Sequence, residues 1–333
     1  MLGWTDRHAR YFLRLFSPNI RLYTEMVTTG ALKHGQRLEL LTFSTQEHPV
    51  ALQLGGSDPA ELAYCAQLGE AWGYDEINLN IGCPSNRVQS GGFGACLMQA
   101  PETVANCVHA IRKACALPVS IKCRLGTDEQ DHYEFLYQFI ETTSAAGCTL
   151  FIIHARKAWL NGLSPKENRE IPPLDYDRVY RLKKDCPHLS IVINGGITHT
   201  HQAKQHLNQV DGVMVGREAY KNPSILLEVD EILFSGRPTR INTELERRLD
   251  IANQLTPYIS RCLKQKIPLK HLTRHTLGLF NGIAGARNFR RVLSQGANDN
   301  SAELAVWLAA LEQVKHPRAD NRTSETLDLM MGN

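Results

Sequence analysis

Short apolar segments, rich in β-branched residues, recur along the first two thirds of the chain and leave room for helices between them. The seven segments are residues 21–26, 50–54, 76–81, 119–124, 150–155, 190–194 and 212–215. Helix-patterned stretches between them are residues 59–72, 101–115, 133–146 and 177–185. The first of these has a helix-start signal, in which Asp58 can cap, Pro59 fits the first helical position and Glu61 completes a capping-box-like pattern. Strands that alternate with helices predict a parallel sheet with helical crossovers.

The number of strands separates two α/β architectures. Seven strands precede the last helix of the regular array, near residues 225–234, whereas a closed TIM (β/α)8 barrel has eight. The chain opens on a helix-like segment, residues 5–16, with no strand before it. We predict a TIM (β/α)8 barrel whose first strand is missing. The alternative is a doubly wound sheet of seven strands.

The last third of the chain differs in both pattern and charge. From about residue 237 the pattern is helical alone, at residues 243–262, 269–280, 287–293 and 302–314. Residues 1–236 contain 22 Lys and Arg against 25 Asp and Glu, whereas residues 237–333 contain 15 against 9. We therefore predict a barrel domain over residues 1–236 and an all-helical domain over residues 237–333. The basic helical domain favours a polyanionic partner.

Several protein classes are disfavoured by the sequence. The nine cysteines include no CxxC pair, which argues against a disulfide framework or a zinc ribbon and favours free thiols in the cytoplasm. There is no apolar run of about eighteen residues and no signal-peptide pattern at the start. Two histidine pairs, His199 with His201 and His271 with His275, are interpreted as surface or RNA-facing residues. A zincin glutamate does not follow His271.

Polar side chains occur at the carboxyl ends of five neighbouring strands, where barrel enzymes place their active sites. They are Gln53, Asn78, Asn80, Lys122, Arg124, His154, Arg156 and Asn194. The two-residue period of a strand puts Lys122 and Arg124 on one side. One such residue alone would more often be structural, because a charge in a buried parallel strand needs a partner. Five strands together predict a polar pocket for an anionic ligand.

Glycines follow the last two strands, in Asn194-Gly195-Gly196 and in Gly216-Arg217. Backbone N–H groups can approach a phosphate closely at glycines, and the loops after strands seven and eight are the usual phosphate site of barrel enzymes. Taken alone, either motif could consist of glycines that only permit a turn. Both motifs together predict a phosphorylated cofactor, with Lys122 beside the electron-rich edge of a flavin ring.

Cys83 follows segment 76–81 and begins a glycine-rich loop that extends to Cys96. A loop cysteine above a cofactor pocket suits a proton donor or a nucleophile, although apolar packing is the common fate of a cysteine. The loop contains Gly91-Gly92-Phe93-Gly94, which is not a GxGxxG fingerprint and follows no strand directly. A dinucleotide-binding fold is therefore not indicated.

Taken together, these segments resemble the A-type bacterial subfamily of the tRNA-dihydrouridine synthases. The matching stretches run through nearly the whole chain and are WTDRHARYFLR, RLYTEMVTTGAL, PVALQLGGSDP, YDEINLNIGCPSNRVQSGGFGACLM, VSIKCRLG, FIIHARKAWLNGLSPKENREIPPLDY, INGGI, DGVMVGREAY and HLTRHTLGLFNGIAGARNFRR. The resemblance implies FMN as cofactor, NADPH as electron source and D-loop uridines around position 20 of tRNA as substrate. It also implies that reduced FMN delivers hydride to C6 of the uracil and that Cys83, as general acid, protonates C5.

The family motifs imply further roles, residue by residue. Those implied to bind FMN are Met1, Gln53, Lys122, His154, Asn194, Gly195, Gly196, Gly216 and Arg217. Asn80 and Arg124 are implied to hold the flipped base against the flavin, because a base stacked in its loop cannot lie flat over the ring. Those implied to contact tRNA are Lys166, Arg169, Lys270, Arg274, Arg287, Arg290 and Arg291. A solvated charged loop is the alternative for Lys166 and Arg169.

The sequence departs from the family pattern at its amino terminus. The family begins with a strand that ends in an APM-type motif before the WTDRH helix, and Met1 occupies the place of that methionine. A barrel without this strand would have two unpaired edges. The alternatives are a catalytically impaired tRNA-binding protein and a different FMN barrel that acts on free pyrimidines, and the basic helical domain argues against the second. We expect a cytoplasmic monomer with no membrane or metal partner.

Overall fold

The computed structural model of the protein describes residues 1–234 and 243–317. Within these residues, eight strands form one parallel sheet. The strands are β1 (Leu22–Tyr23), β2 (Val27–Thr28), β3 (Val50–Gly55), β4 (Glu76–Ile81), β5 (Val119–Arg124), β6 (Leu150–His154), β7 (Ser190–Asn194) and β8 (Gly212–Met214). Their order in the sheet is β1-β3-β4-β5-β6-β7-β8, and β2 also pairs with β3.

The strand order identifies the architecture. From β3 to β8 each strand pairs with the next one along the chain, whereas a doubly wound sheet reverses its order at a switch point. This order is that of a TIM-like barrel, with the sheet open between β8 and β1 within the described residues. The predicted barrel class is confirmed, and the doubly wound alternative is wrong.

The first predicted strand is interrupted. Segment 21–26, predicted as one strand, contains the two-residue β1, and β2 begins after it at Val27. Both strands pair with β3, β1 at its start and β2 at its end. Between them, Thr24 Oγ1 accepts a hydrogen bond from the Gln53 amide at 2.9 Å. A side chain thus takes the place of a backbone acceptor, which ends β1 early.

Helices make up most of the remaining described chain. The α-helices are α1 (Arg7–Arg14), α2 (Thr29–Lys33), α3 (Pro59–Ala71), α4 (Asn86–Ser90), α5 (Pro101–Ala114), α6 (Tyr133–Ala145), α7 (Tyr176–Asp185), α8 (Thr200–His206), α9 (Arg217–Lys221), α10 (Val229–Leu233), α11 (Glu244–Lys264), α12 (Leu269–Thr273), α13 (Ala286–Gly296) and α14 (Leu304–Lys315). Short 3-10 helices lie at Leu38–Leu41, Thr45–Glu47, Gly94–Gln99, Glu167–Arg169 and Pro223–Leu226.

Two predicted helices are wrong in extent. The stretch 225–234 is divided between the last 3-10 helix and α10. The stretch 269–280 is helical only to Thr273. There Thr276 Oγ1 donates to the Thr273 carbonyl at 2.8 Å, and such a side-chain bond competes with the helical ladder.

At the start of α3, one part of the predicted helix-start signal is confirmed and another is wrong. Asp58 caps the helix by accepting the Glu61 amide at 2.8 Å, and Pro59 lies in the first turn. The predicted capping box is wrong, because the Glu61 carboxylate contacts α2 and its end instead. It accepts from Thr29 Oγ1 at 2.9 Å and lies 2.9 Å from His34 Nε2. The glutamate therefore joins two helices rather than closing its own.

The described chain divides into two compact units. One comprises Met1–Tyr220 with residues 225–234, and the other comprises Lys221–Ser224 with residues 243–317. The predicted domain boundary, between residues 236 and 237, lies outside the described residues. None of the described helices is both long enough and apolar enough to span a membrane.

The helical unit packs around buried aromatic side chains. Phe289 on α13 lies edge-on to Phe280, with ring centroids 4.9 Å apart, and edge-on to Trp307, with centroids 5.9 Å apart. The Trp307 indole N–H on α14 donates to Thr256 Oγ1 on α11 at 2.9 Å. Trp307 therefore connects three helices of this unit.

Trp307→Ala is expected to lower the free energy of unfolding by about 3–5 kcal/mol, because it removes a fully buried aromatic side chain and its hydrogen bond. Leu308→Ala is the matched control, since Leu308 is the next residue on α14 but is 45% exposed. Its expected effect is about 0.5 kcal/mol or less. Urea unfolding of the full chain, followed by circular dichroism, measures both. Equal losses of stability would contradict this description of the core.

Candidate active site

The sheet register brings the predicted polar residues together at the carboxyl ends of the strands. The paired positions are Gln53 with Asn78, Asn80 with Lys122, and His154 with both Arg124 and Asn194. Side chains at paired positions of neighbouring strands point to the same face of a sheet. Five strands, β3 to β7, thus contribute to one cluster of amide and cationic groups, as predicted.

A buried chain of hydrogen bonds joins the amides of this cluster. Asn80 Nδ2 donates to Gln53 Oε1 at 2.8 Å, and Gln53 Nε2 donates to Asn78 Oδ1 at 2.8 Å. Asn78 Nδ2 donates to Ser120 Oγ at 2.7 Å, and Ser120 donates to the Glu76 carboxylate. Because a carboxylate only accepts hydrogen bonds, the chain has one direction and each amide is held in one orientation.

Ser120 and Glu76 were missed by sequence reasoning, although they anchor this chain. Glu76 is paired with Arg21 and accepts from the Tyr23 hydroxyl at 3.3 Å. A carboxylate at the start of an apolar strand segment was the available signal for Glu76. For Ser120 there was no signal, because its role depends on which neighbours the register gives it.

Cys83 lies just beyond β4 and is held by its backbone on both sides. Its amide donates to Asn80 Oδ1 at 3.0 Å, and its carbonyl accepts from the Ala95 amide at 2.9 Å. The thiol lies 3.5 Å from Ser85 Oγ, and the residue is partly exposed. Cys96 is partly exposed as well, whereas the other seven cysteines are buried. A partly exposed thiol on a fixed backbone has the access that a proton donor needs.

Lys122 and Asn194 connect the middle of the site to the last strand. Lys122 Nζ donates to Asn194 Oδ1 at 3.0 Å, and Asn194 Nδ2 donates to the Met214 carbonyl at 2.8 Å. Burial, together with the neighbouring charge of Arg124, lowers the pKa of Lys122 to about 8. The ammonium is charged near neutral pH but is held at a cost in free energy, which a nearby anion would offset.

Arg124 is buried and connects two loops to the end of β5. Its guanidinium donates to the carbonyls of Gly82 at 3.2 Å, Lys157 at 3.2 Å and Asn168 at 2.9 Å. Burial lowers the pKa of Arg124 to about 10, so the group stays charged at neutral pH. The structure thus places it beside the Cys83 loop, and its contact with a base stays a prediction.

A group of cations surrounds His154. Its charged neighbours are Arg124, Lys122, Arg156 and Arg217. Burial and these charges lower the pKa of His154 well below its ordinary value, so the ring is neutral near pH 7. Within the described chain, the buried Nε atoms of Arg156 and Arg169 have no hydrogen-bond partner. Crowded cations with unpaired donors favour an anionic ligand at this place.

Arg217 lies after β8 and is part of the second predicted phosphate motif, Gly216-Arg217. It forms an ion pair with Glu170 at 2.7 Å and donates to the Arg169 carbonyl at 3.2 Å. Gly216, just before it, has open space, since a Cβ atom there would meet nothing nearer than the Met1 sulfur at 3.9 Å. The structure therefore brings the predicted residues Met1, Gly216 and Arg217 together.

The Gly195-Gly196 loop packs its backbone directly against side chains. Both residues have a positive φ, +115° and +72°, a conformation that favours glycine. A Cβ atom on Gly195 would lie 2.7 Å from His154 Cδ2, and one on Gly196 would lie 2.6 Å from the Tyr176 hydroxyl oxygen. Only glycine fits at these positions, which are the predicted phosphate loop after β7.

The predicted RNA-contacting residues occur in both units. Lys166, Arg274, Arg287 and Arg291 are exposed, whereas Arg169, Lys270 and Arg290 are half-buried. Arg290 donates to Asn281 Oδ1 at 2.9 Å, so it has a structural contact within the helical unit. Arg287 and Arg291 are four residues apart on α13 and share its exposed face. Because they are exposed and share one helix face, these two arginines are the best-placed candidates for a phosphate contact in the helical unit.

The two histidine pairs have different environments. His199, His201 and His271 are exposed, as predicted, but His275 is 2% exposed, so its interpretation as a surface residue is wrong. Because α12 ends at Thr273, His271 and His275 do not share a helix face. Among the residues that the structure describes, no group of three His, Cys, Asp or Glu side chains could hold a metal ion.

A parallel barrel sheet with cations, amides and glycine loops at the carboxyl ends of its strands is typical of a barrel enzyme, whose active site lies at that end of the sheet. A solved complex of 2-naphthoyl-CoA reductase with 2-naphthoyl-CoA has a similar fold, with a TM-score of 0.52. The match covers 68% of this chain and 47% of that chain at 13% sequence identity. At this identity the likeness concerns the fold alone.

The family described as dihydrouridine synthase matches residues 1–315. The chain is 59% identical to the tRNA-dihydrouridine(20/20a) synthase of Escherichia coli (strain K12), over 96% of this chain and 91% of that protein. It is 55% identical to the protein of the same name from Vibrio cholerae serotype O1, over 95% of each. The chain belongs to the dihydrouridine synthase family, and the predicted resemblance is confirmed.

The lowered pKa of Lys122 can be tested directly. In flavin-free protein with lysine labelled at Nζ, we expect the Lys122 resonance to titrate with a midpoint near pH 8, because burial and Arg124 disfavour its charged form. The ammonium is present below that pH and is lost above it. Lys122→Met identifies the resonance by its absence. A midpoint at the ordinary lysine value, roughly 10.4, would contradict the buried, like-charged environment described above.

Proposed function

We propose that this chain reduces uridine to 5,6-dihydrouridine in tRNA, at D-loop positions around 20, with FMN as cofactor and NADPH as reductant. The observation that supports this most is the convergence of Cys83, Asn80 and Lys122 at one end of the sheet, beside a group of cations. Membership of the dihydrouridine synthase family and the names of its relatives agree with it.

The residues present fit a phosphorylated flavin. Gly195 and Gly196 have positive φ values that favour glycine, in the loop after β7 where barrel enzymes bind phosphate, and the buried Nε atoms of Arg156 and Arg169 have no hydrogen-bond partner in the described chain. Lys122 adds a charge that an anion would stabilise. The residues that would hold the cofactor are Met1, Gln53, Lys122, His154, Asn194, Gly195, Gly196, Gly216 and Arg217. When bound, FMN supplies the hydride that reduction of the uracil C5–C6 bond needs.

Three of the cofactor-binding residues, Lys122, His154 and Gln53, have distinct physical parts in this proposal. The Lys122 ammonium offers positive charge to the electron-rich edge of the ring. The neutral His154 ring can donate a hydrogen bond without adding a further charge among the cations. Gln53 is held in one orientation by Asn78 and Asn80, so its amide presents a fixed donor and acceptor.

Cys83 is the proposed proton donor to C5 of the uracil. Asn80 and Arg124 would hold the flipped base, and both already contact the segment that carries Cys83. The hydrogen bond from the Cys83 amide to Asn80 Oδ1 couples the position of the thiol to the residue that orients the base. Substrate and acid are thereby placed by one network.

The proposed tRNA-binding part is a helical domain over residues 237–333. Two of its exposed arginines, Arg287 and Arg291, lie on one face of α13. Guanidinium groups contact RNA phosphates with good geometry, which supplies affinity that does not depend on base sequence. Lys270, Arg274 and Arg290 are proposed to add to this surface, and Lys166 and Arg169 to contact tRNA from the barrel domain.

Cys83→Ala is expected to retain flavin and tRNA binding but to lose dihydrouridine formation by about a hundredfold or more, because a general acid contributes factors of that order. Cys96→Ala is the matched control, since Cys96 is the other partly exposed cysteine and lies at the end of the same loop. Mass spectrometry of tRNA after incubation with NADPH measures the product. Full activity of the Cys83 variant would exclude the proton-donor role.

Arg287→Ala combined with Arg291→Ala is expected to weaken tRNA binding and to reduce the slope of log affinity against log salt by about 1.5, since each lost phosphate contact removes about 0.7–0.9. Lys113→Ala with Lys184→Ala is the control, because these two exposed lysines lie on barrel helices α5 and α7. Filter binding over a salt series measures the slope. An unchanged slope in the arginine variant would argue against phosphate contacts at α13.

A further inference from the structure

Tyr176, the first residue of α7, reaches across to the glycine loop after β7. Its hydroxyl donates to the Gly195 carbonyl at 2.8 Å. The residue before it, Asp175, caps α7 by accepting the Arg178 amide at 3.0 Å and donates its own amide to the Ala155 carbonyl at 2.9 Å. Tyr176 is therefore fixed at its backbone by the end of β6, while its side chain holds the loop after β7.

The Tyr176 ring packs against His206 on α8. The His206 ring lies edge-on to it, with centroids 4.6 Å apart and an interplanar angle of 68°. His206 Nδ1 is in turn 2.6 Å from the Tyr180 hydroxyl, and the histidine side chain is buried. Burial lowers the pKa of His206, so its ring is neutral and adds no charge behind the loop.

The contact with Tyr176 sets the direction of one peptide group. In a planar trans peptide the C=O and N–H bonds point in opposite directions, so the Gly196 N–H faces away from the tyrosine that holds the Gly195 carbonyl. Among the described residues, this N–H donates to no acceptor. The positive φ of both glycines makes this orientation accessible. A free, oriented backbone donor in a loop beside His154 and its cations suits an anionic oxygen.

We propose that Tyr176 is a positioning residue that orients the Gly195–Gly196 peptide toward the cofactor's phosphate, and that it thereby sets the preference for phosphorylated over unphosphorylated flavin. This inference rests on the proposed function, because it takes the loop after β7 as the phosphate site. Spacing along the sequence does not indicate this role, since Tyr176 lies 20 residues before Gly196. The tyrosine acts through the peptide and contacts no reacting atom.

The test compares two ligands that differ by the phosphate. Flavin-free full-length protein, wild type and Tyr176→Phe, is titrated with FMN and separately with riboflavin, and flavin fluorescence reports binding. We expect the Kd for FMN to rise about five- to tenfold in Tyr176→Phe while the Kd for riboflavin is unchanged. Tyr180→Phe is the matched control, because it removes the hydroxyl that contacts His206 but leaves the hydrogen bond from Tyr176 to Gly195 intact. It should leave the FMN-to-riboflavin ratio unchanged.

A second readout reports on the peptide itself and needs no activity. With glycine labelled at its amide nitrogen, the Gly196 resonance should shift when FMN is added to wild type and shift less in Tyr176→Phe. An equal loss of affinity for both flavins, or an unchanged FMN affinity, would overturn the proposal for Tyr176. Wild-type protein that binds neither flavin would overturn the proposed function itself and the inference with it.

Discussion

Parallel strands are buried on both faces, so each polar side chain within this sheet needs a partner within it. That requirement organises the candidate active site. The amides of Gln53, Asn78 and Asn80 satisfy one another, and their chain of hydrogen bonds ends on the Glu76 carboxylate at the start of β4. Because Asn80 also accepts from the Cys83 amide, the position of the loop thiol follows from pairing inside the sheet.

The cationic side chains on the other side of the site have fewer hydrogen-bond partners than the amides. Arg156 and Arg169 each keep a buried Nε without a partner in the described chain, and the pKa values of Lys122 and His154 are lowered. Gathering like charges in a buried place lowers stability, and an anionic ligand would offset that cost. The amides provide hydrogen-bond donors in fixed orientations for a flavin ring. The cationic side chains provide excess positive charge for its phosphate.

Hydrophobic periodicity predicted β3 to β8 to within one residue of their observed bounds. It failed where a side chain replaces a backbone partner, at Thr24 between β1 and β2 and at Thr276 beyond α12. The polar residues at the strand ends were predictable, since polar side chains are unusual within apolar strand segments. Ser120 and Tyr176 were not, because an ordinary serine or tyrosine acquires its role only from neighbours that are distant in sequence.

The visible absorbance spectrum of the purified chain, followed through one turnover, tests whether this protein binds a flavin and uses it to reduce tRNA. We expect a flavin spectrum in proportion to protein, bleaching on addition of NADPH without oxygen, and return of the colour when tRNA lacking dihydrouridine is added. Recovery with tRNA but not with free uridine would agree with a tRNA substrate. A protein that stays colourless when FMN is supplied, or a bleached flavin that tRNA does not reoxidise, would contradict it.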